Sequence, residues 1–444
     1  MRETMIVGAA SAAMTPNVPV MLAGYADRDR PAESVRDPLL VAAVSIRSDA
    51  GRVVIVSIDC LGVDVTVAGP LRARVAGIAG TSADQVHLCA SHTHFGPILS
   101  RSRSYDPRLA VQPPEEDALR ILVGALSQAV QNAIADEEES TLETLTVRAA
   151  GFAFNRRFAA GAEATETHFL FPEAAGDRLS ERPIDERVTV LRFRRGNRFV
   201  ATVVNLACHP VCGADDARYA VSADWVHAMR STLSAEFGCP TLFLQGAAGD
   251  VVPMARLGRS RELIGHGYAS VILLNQRRFR TVASPVARCA TRRLAFPVVS
   301  MYDGPDLDAD FDAARQEILA SAADWRDGSA PGVARYRSLL AARLFRDLCP
   351  DGTLDFSVSA VGLGPLALVF LPFEILTSFG VALAEHHPEA RIVSCADGYD
   401  GYLPDRTEIA AGGYEGEAGS RHLAVDARDA VLEAASGIAA SLVP

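Results

Sequence analysis

The sequence lacks any stretch that approaches the roughly 18 consecutive apolar residues of a membrane-spanning helix. The best candidate, Val361 to Leu371, is short and contains glycine and proline. The chain also lacks an excess of basic residues, since its 444 residues carry a formal charge of −11. An acidic surface attracts neither a phosphate backbone nor acidic lipid. We therefore expect no nucleic-acid partner and no stable membrane insertion.

A disulfide framework and a convincing signal peptide are missing as well. The eight cysteines are scattered along a long chain, and several lie in apolar, strand-like runs. Cys208-His209-Pro210-Val211-Cys212 has no second cysteine pair at zinc-finger spacing, which argues against a cysteine-ligated structural zinc. At the N-terminus only Arg2 is basic, and Gly8 interrupts the apolar run. We therefore expect a first strand there, and a cytoplasmic protein.

Strand-like and helix-like segments alternate along the chain. Leu39 to Ile46 and Val53 to Ile58 are rich in β-branched residues and flank a turn, which predicts a pair of strands. Pro113 and the acidic residues after it predict the start of a long helix that ends near Ala135. The charged stretch 307–346 is predicted to be helical, either as a lid-like insertion or as an ordinary packed pair. This mixture predicts one α/β domain over residues 1–444, with mixed β-sheets and flanking helices.

Two histidines stand two residues apart directly after a predicted buried strand, Val86 to Ala90. His92 and His94 lie in the segment Ser91 to Pro97. Alternate residues of a strand point to the same face, so both imidazoles can face one site at a strand end. Imidazole is the commonest metal ligand in proteins and the usual proton shuttle near neutral pH. Two polar residues in a turn would give the same pattern.

Five further segments place polar residues where a strand is expected to end or a loop to begin. The Gly/Ala-rich one lacks the Lys-Ser/Thr ending of a phosphate loop. Taken singly, each of the five fits a turn, a helix cap or a surface charge. The segments are Phe154 to Phe158, Asn205 to Pro210, Gln245 to Asp250, Leu371 to Glu374 and Gly412 to Gly416.

In their order along the chain, these segments resemble the neutral/alkaline (non-lysosomal) ceramidases. The resemblance extends from about residue 5 to residue 440. The motifs that carry it are Leu22-Ala23-Gly24-Tyr25, His92-Thr93-His94-Phe95-Gly96-Pro97, Asn155-Arg156, His209-Pro210, Ser222-Ala223-Asp224, Gln245-Gly246-Ala247-Ala248-Gly249-Asp250, Pro372-Phe373-Glu374 and Tyr414-Glu415-Gly416.

Members of that family are zinc amidases, so the resemblance implies one zinc ion per chain. It further implies that His94 acts as the acid/base and that Arg156 binds the substrate carbonyl. Tyr414 would support the developing oxyanion after leaving the metal. Asp59, at the end of a predicted strand, is a candidate to orient one imidazole. The implied zinc ligands are His92, His209, Glu374 and Tyr414.

The chain departs from the family pattern at several points. Val252 stands where the ceramidases have a functionally important serine, and Phe95 stands where they have a small polar residue, so that a narrowed pocket is expected. The family's C-terminal immunoglobulin-like domain is not found in this sequence. These departures favour a substrate smaller and more soluble than ceramide.

The leading expectation is therefore a zinc-dependent hydrolase that cleaves the amide bond of a small N-acyl or amide compound. Zinc lowers the pKa of its water from about 15.7 toward 7, which supplies hydroxide at neutral pH. Four alternatives stay open: a true ceramidase, a zinc esterase or lactonase, a non-catalytic metal-binding protein, and a (β/α)₈ metal hydrolase.

Overall fold

The computed structural model describes residues 5–160, 164–170, 182–213, 216–283, 285–299, 302–321, 324–326, 332–418, 423 and 426–442. Within these residues the chain forms mixed β-sheets with flanking helices, which confirms the predicted α/β class.

Most strands belong to two sheets. The strands are β1 Met5–Ala13, β2 Ser34–Val35, β3 Leu40–Ser48, β4 Gly51–Ile58, β5 Val86–Ala90, β6 Ser102–Arg103, β7 Val111–Gln112, β8 Glu138–Arg148, β9 Ala153–Asn155, β10 Arg157–Ala159, β11 Thr165–Thr167, β12 Arg187–Arg195, β13 Arg198–Leu206, β14 Ala220–Val221, β15 Thr241–Gln245, β16 Val251–Pro253, β17 Arg280–Thr281, β18 Ala287–Pro297, β19 Thr353–Leu363, β20 Leu366–Phe370 and β21 Ala390–Val393.

Helices flank these sheets. They are α1 Val65–Ala79, α2 Glu116–Ala135, α3 Trp225–Phe237, α4 Ser260–Leu274, α5 Leu307–Ala320, α6 Val333–Leu348, α7 Thr377–His386, α8 Arg406–Ala411, α9 Gly413–Ala418 and α10 Ala427–Leu442.

The larger sheet has the strand order β15-β13-β12-β8-β1-β3-β4-β5, with β17 paired to β8. The predicted strand pair is β3 and β4, which are antiparallel and joined at Ser48 and Gly51. Most neighbours are antiparallel, but β4 with β5 and β13 with β15 are parallel. An open mixed sheet of this kind is not the closed parallel barrel of a (β/α)₈ hydrolase.

The smaller sheet has the order β18-β19-β20-β21, and its last pair is parallel. It packs face to face with the larger sheet through one hydrophobic core. That core contains Ile55 and Leu244 from the larger sheet and Leu368, Phe370 and Val393 from the smaller one. A bridge between Cys89 and Ala396 also joins the carboxyl end of β5 to the segment after β21. The carboxyl ends of strands from both sheets consequently meet at one edge.

Helix α2 has the length and composition to cross a membrane, a property that the sequence analysis did not find in any segment. In this fold α2 packs on β1 and β3 instead. Its buried face includes Leu122, Leu126 and Val130, and the first turn carries Glu116 and Asp117 beside the positive end of the helix dipole. These contacts are those of a core helix.

Helices α5 and α6 occupy the stretch predicted to be helical. Residues 327–331, between the two helices, lie outside the described residues. The two helices pack through Phe311 and Tyr336, whose ring centroids are 5.8 Å apart. Arg337 of α6 places its guanidinium 4.0 Å from the ring of Tyr105. The helix pair therefore packs on the segment that contains β6 and β7.

Candidate metal centre

Three strand ends deliver the candidate metal ligands of the site. His92 follows β5, His209 follows β13, and Glu374 follows β20. All three side chains are buried, at 1%, 1% and 4% exposure respectively. Since β5 and β13 belong to the larger sheet and β20 to the smaller one, the site lies where the two sheets meet.

The ligating atoms converge on a single point. Oε2 of Glu374 lies 3.2 Å from Nε2 of His92 and 3.2 Å from Nε2 of His209. Nε2 of His94 lies 3.4 Å from Nε2 of His92. The ligand atoms of the three histidines all fall within 4.8 Å of one another. Four donor atoms from three chain segments thus surround one small volume.

Backbone carbonyls fix the orientation of two imidazoles. Nδ1 of His92 lies 2.8 Å from the carbonyl oxygen of Leu61, and Nδ1 of His209 lies 2.6 Å from that of Ala248. Nδ1 donates in both contacts because a carbonyl oxygen only accepts, and in neutral imidazole the Nε2 lone pair then faces Glu374. Two lone pairs that face a carboxylate repel unless a proton or a metal ion lies between them.

The spacing fits a metal ion. In a tetrahedral zinc site with bonds of about 2.0 Å, neighbouring ligand atoms are about 3.3 Å apart. The separations of 3.2, 3.2 and 3.4 Å match that value. Imidazole nitrogen and carboxylate oxygen are ligands that Zn²⁺ accepts. The residues present therefore fit a zinc ion, although the donor set alone does not decide the metal.

Opposite charges shift the pKa values of the cluster. Burial would raise the pKa of Glu374, but the facing imidazoles of His92 and His209 hold it well below its usual range. Burial lowers the pKa of His209 to about 4, so this imidazole is neutral at physiological pH. Burial alone would also lower the pKa of His92, but Cys395 and Glu374 raise it well above its usual value. An ionised carboxylate and a neutral imidazole are the forms that bind metal, so a metal ion would have to displace the proton that the raised pKa keeps on His92.

His94 differs from the other two imidazoles. Its Nδ1 is buried and has no hydrogen-bond partner among the described residues, so no carbonyl fixes its tautomer. The ring of Tyr25 packs edge-on against it at 5.1 Å, and a Cβ at Gly24 would lie 2.6 Å from its Cγ. Burial, with His92, lowers the pKa of His94 well below its usual value. The half-buried ring can thus serve as a third ligand or as a proton acceptor.

Arg156 lies beside the cluster, where Glu415 holds it. Its Nε donates to Oε1 of Glu415 at 2.5 Å, and its Nη2 donates to the hydroxyl of Tyr402 at 3.0 Å. The ring of Tyr414 lies 5.7 Å from that of Tyr402 and 5.6 Å from the guanidinium of Arg156. Burial, with Tyr105, raises the pKa of Tyr414 to about 12, and Glu374 adds to the effect.

The structure therefore brings His92, His94, His209 and Glu374 into direct proximity and places Arg156 and Tyr414 in the adjoining shell. The contacts of Tyr414 within the described residues run to Thr167 and to neighbouring aromatic rings. Its assignment as a metal ligand stays a prediction.

The sequence analysis missed a tyrosine that touches Glu374. The hydroxyl of Tyr399 donates to Oε1 of Glu374 at 2.6 Å, which leaves Oε2 free for the metal. The available sequence signal was a Gly-Tyr pair that occurs twice after β21, at Gly398-Tyr399 and at Gly401-Tyr402. Asp59, by contrast, does not orient an imidazole, because it forms a bidentate ion pair with Arg230 at 3.0 and 2.6 Å. Backbone carbonyls fill the orienting role instead.

Three residues around the site have left-handed backbone conformations without being glycine. The φ angles are 65° at His92, 52° at Cys395 and 62° at Asp397. Each such residue costs on the order of 1–3 kcal/mol and persists only where its surroundings enforce it. At His92 this turn aims the ring at Glu374, so a strained backbone contributes to the geometry of the site.

The two substituted motif positions are both buried. Val252 is fully buried and packs with Phe154, Phe158 and Val211 in a small apolar cluster. Phe95 is fully buried with its ring centroid 5.8 Å from that of Tyr25. Phe95 therefore shapes the site through Tyr25, the residue that packs on His94.

The fold and the site together define an α/β protein built around a candidate metal centre at the junction of two sheets. No protein-family model matches the chain, and no curated protein matches its sequence. Solved structures match its fold. Neutral ceramidase from Pseudomonas aeruginosa superposes with a TM-score of 0.71 at 18% identity, over 100% of this chain and 75% of that chain. A ceramidase complexed with C2 superposes with a TM-score of 0.71 at 18% identity, over 100% of this chain and 76% of that chain. The chain thus has a neutral-ceramidase-like fold, as the motifs predicted.

Proposed function

We propose that this protein is a zinc-dependent hydrolase that cleaves the amide bond of a small N-acyl or amide compound. The observation that carries the proposal is the convergence of Nε2 of His92, Nε2 of His209 and Oε2 of Glu374, with His94 alongside. Three ligands of this kind leave a position for water in catalytic zinc sites. The fold shared with neutral ceramidase supports an amide substrate.

The bound zinc would supply an acidified water and polarise the substrate carbonyl. His94 would accept the proton of that water, because its Nε2 lies 3.4 Å from Nε2 of His92 and faces the proposed metal position. The depressed pKa of His94 favours return of this proton to the departing amine, which leaves poorly unless protonated.

Arg156 would stabilise charge on the substrate oxygen. Glu415 and the carbonyl of Gly249 hold its guanidinium in position, so little reorganisation is needed during the reaction. A preorganised donor of this kind is worth about 3 kcal/mol of transition-state stabilisation. Tyr414, which stays protonated because of its raised pKa, is the second candidate donor.

We propose a small, soluble substrate rather than ceramide, and a cytoplasmic location. Val252 is fully buried in an apolar cluster, so the serine of the ceramidase motif has no polar replacement there. Zinc-bound hydroxide does not need that serine. The chain's charge of −11 gives no attraction to an anionic membrane.

Metal content of the purified protein tests the proposal. We expect about one zinc per chain in the wild type and loss of zinc in His209→Ala. His266→Ala is the matched control, because His266 is exposed on α4. His94→Gln should abolish turnover, and retained zinc would assign His94 to proton transfer. A wild type that neither contains nor takes up zinc would overturn the proposal. With zinc present, turnover of N-acyl amides, ceramide and lactones identifies the substrate class.

A further inference from the structure

Arginines are numerous around the metal centre, although the whole chain carries −11. The sequence contains no lysine, so all 43 basic residues are arginines. Arg156 and Arg157 share one carboxylate, that of Glu415, at 2.5 and 2.8 Å. The buried carboxylate of Asp250 accepts from Asn155 and adds a second negative charge beside this pair. Both arginines are therefore engaged by the protein itself.

Two more arginines stand behind His94 without a carboxylate partner among the described residues. Arg28 donates to the carbonyl oxygens of Ala23 and His94 at 2.5 and 2.6 Å, and it is 2% exposed. Arg256 donates from Nη2 to the hydroxyl of Tyr25 at 3.2 Å. Backbone carbonyls thus occupy the donors of both guanidinium groups, and these arginines hold the wall that supports His94.

Arg103 is the arginine of this region that remains free to meet a ligand. It lies on the short β6 strand, and its guanidinium carbon is 5.9 Å from the ring centre of Tyr105. It is half-buried, and within the described part of the chain its guanidinium forms no hydrogen bond or ion pair. The backbone N–H of Tyr105 donates to the carbonyl oxygen of Ala26 at 2.7 Å, and Ala26 adjoins Tyr25, whose ring packs on His94. Burial would lower the pKa of Arg103, but Tyr105 and Tyr414 raise it.

A bound divalent cation would add positive charge near Arg103, and neighbouring positive charges favour an anionic ligand. A neutral amide would leave Arg103 without a partner in a partly desolvated position, which is costly. A carboxylate matches the planar fork of a guanidinium and can accept two hydrogen bonds from it.

We propose that Arg103 is the specificity-determining residue of an anion subsite beside the metal centre, and that the substrate is an N-acyl compound bearing a carboxylate. This inference rests on the proposed function in one respect: the bond cleaved is taken to be the amide named there. The subsite itself rests on the unpaired guanidinium of Arg103.

Paired substrates test the subsite. N-butanoylglycine is compared with N-butanoylglycinamide, and N-ethylsuccinamate with N-ethylsuccinamide, so that the carboxylate lies on the amine side or on the acyl side. We expect kcat/KM to favour one carboxylate over its amide by at least about tenfold, which corresponds to about 1.4 kcal/mol. Arg103→Gln should remove that preference. Arg101→Gln should keep it, because the exposed Arg101 lies two residues away and pairs with Asp347 at 3.3 Å.

Calorimetric binding of N-butanoylglycine and N-ethylsuccinamate to the zinc-free protein separates the two proposals. Binding that Arg103→Gln weakens at least about fivefold, without turnover of any amide, would sustain the subsite and overturn the hydrolase. Equal turnover of acid and amide, unchanged by Arg103→Gln, would overturn the subsite and sustain the hydrolase. An absence of both binding and turnover would overturn both.

Discussion

The hydrogen bond from Tyr399 to Glu374 makes a quantitative prediction about zinc affinity. The hydroxyl donates to Oε1 at 2.6 Å and leaves Oε2 facing the two imidazoles. Burial, with the charge of Glu374, raises the pKa of Tyr399 well above its usual range, so the hydroxyl stays a donor at any physiological pH. Tyr399→Phe removes only this donor and preserves the ring.

A hydrogen bond to a charged acceptor is worth about 1.5–3 kcal/mol. Loss of a partner that orients a metal ligand typically weakens metal binding about 10–100-fold. We therefore expect the Kd for zinc to rise by about that factor in Tyr399→Phe. The measurement is zinc competition between the protein and a fluorescent chelator, followed at constant pH.

Tyr219→Phe is the matched control. The hydroxyl of Tyr219 donates to a carboxylate oxygen of Asp29 at 2.8 Å, which is the same chemistry at a carboxylate with no part in the metal cluster. Its loss should leave the Kd for zinc unchanged. Unaltered zinc affinity in Tyr399→Phe, or an equal loss in both variants, would refute the view that Tyr399 positions Glu374.

Two further predictions concern the backbone next to His94 and the pH dependence of stability. Gly24→Ala should cut kcat/KM at least about tenfold, because its Cβ would lie 2.6 Å from Cγ of His94. Gly196→Ala, with φ of 58° and open space around it, should keep activity, and equal effects would contradict the steric argument. Burial alone would lower the pKa of His87, but Asp397 raises it to about 9, above the ordinary value of 6.5. The His87–Asp397 pair should therefore contribute its full stabilisation below pH 6.5. As the pH rises through 9, the free energy of unfolding measured with urea should fall by up to about 3 kcal/mol. The slope should disappear in His87→Gln, and its persistence would show that another group is responsible.

Much of the architecture was predictable because local pattern and tertiary role agree. The strand at Val86–Ala90 and the helix that ends at Ala135 were predicted with nearly the observed bounds. Both have the apolar periodicity or helix-start signals that their burial requires. The length and composition of α2 would also suit a membrane span, and only its packing on β1 and β3 distinguishes the two.

The site shows where sequence reasoning stops. Strand alternation was the reason given for placing His92 and His94 together, yet His92 has φ of 65° and lies beyond the end of the strand. The imidazoles are oriented by the carbonyls of Leu61 and Ala248, and backbone oxygens carry no sequence signature. Arg103 belongs to no motif. Its importance comes from the absence of a partner, a property of the folded chain.

The placement of the ligands on two sheets has a consequence for assembly. The imidazoles come from the larger sheet and Glu374 from the smaller one, so an ion held by all of them ties the two together. A ligand that binds only the native state stabilises it by RT ln(1 + [L]/Kd), which is about 4 kcal/mol at a thousandfold excess over Kd. That energy would stabilise the packing of one sheet on the other. Zinc uptake would then report the packing of the two sheets on each other, and substitutions deep in their shared core should weaken it without touching a proposed ligand.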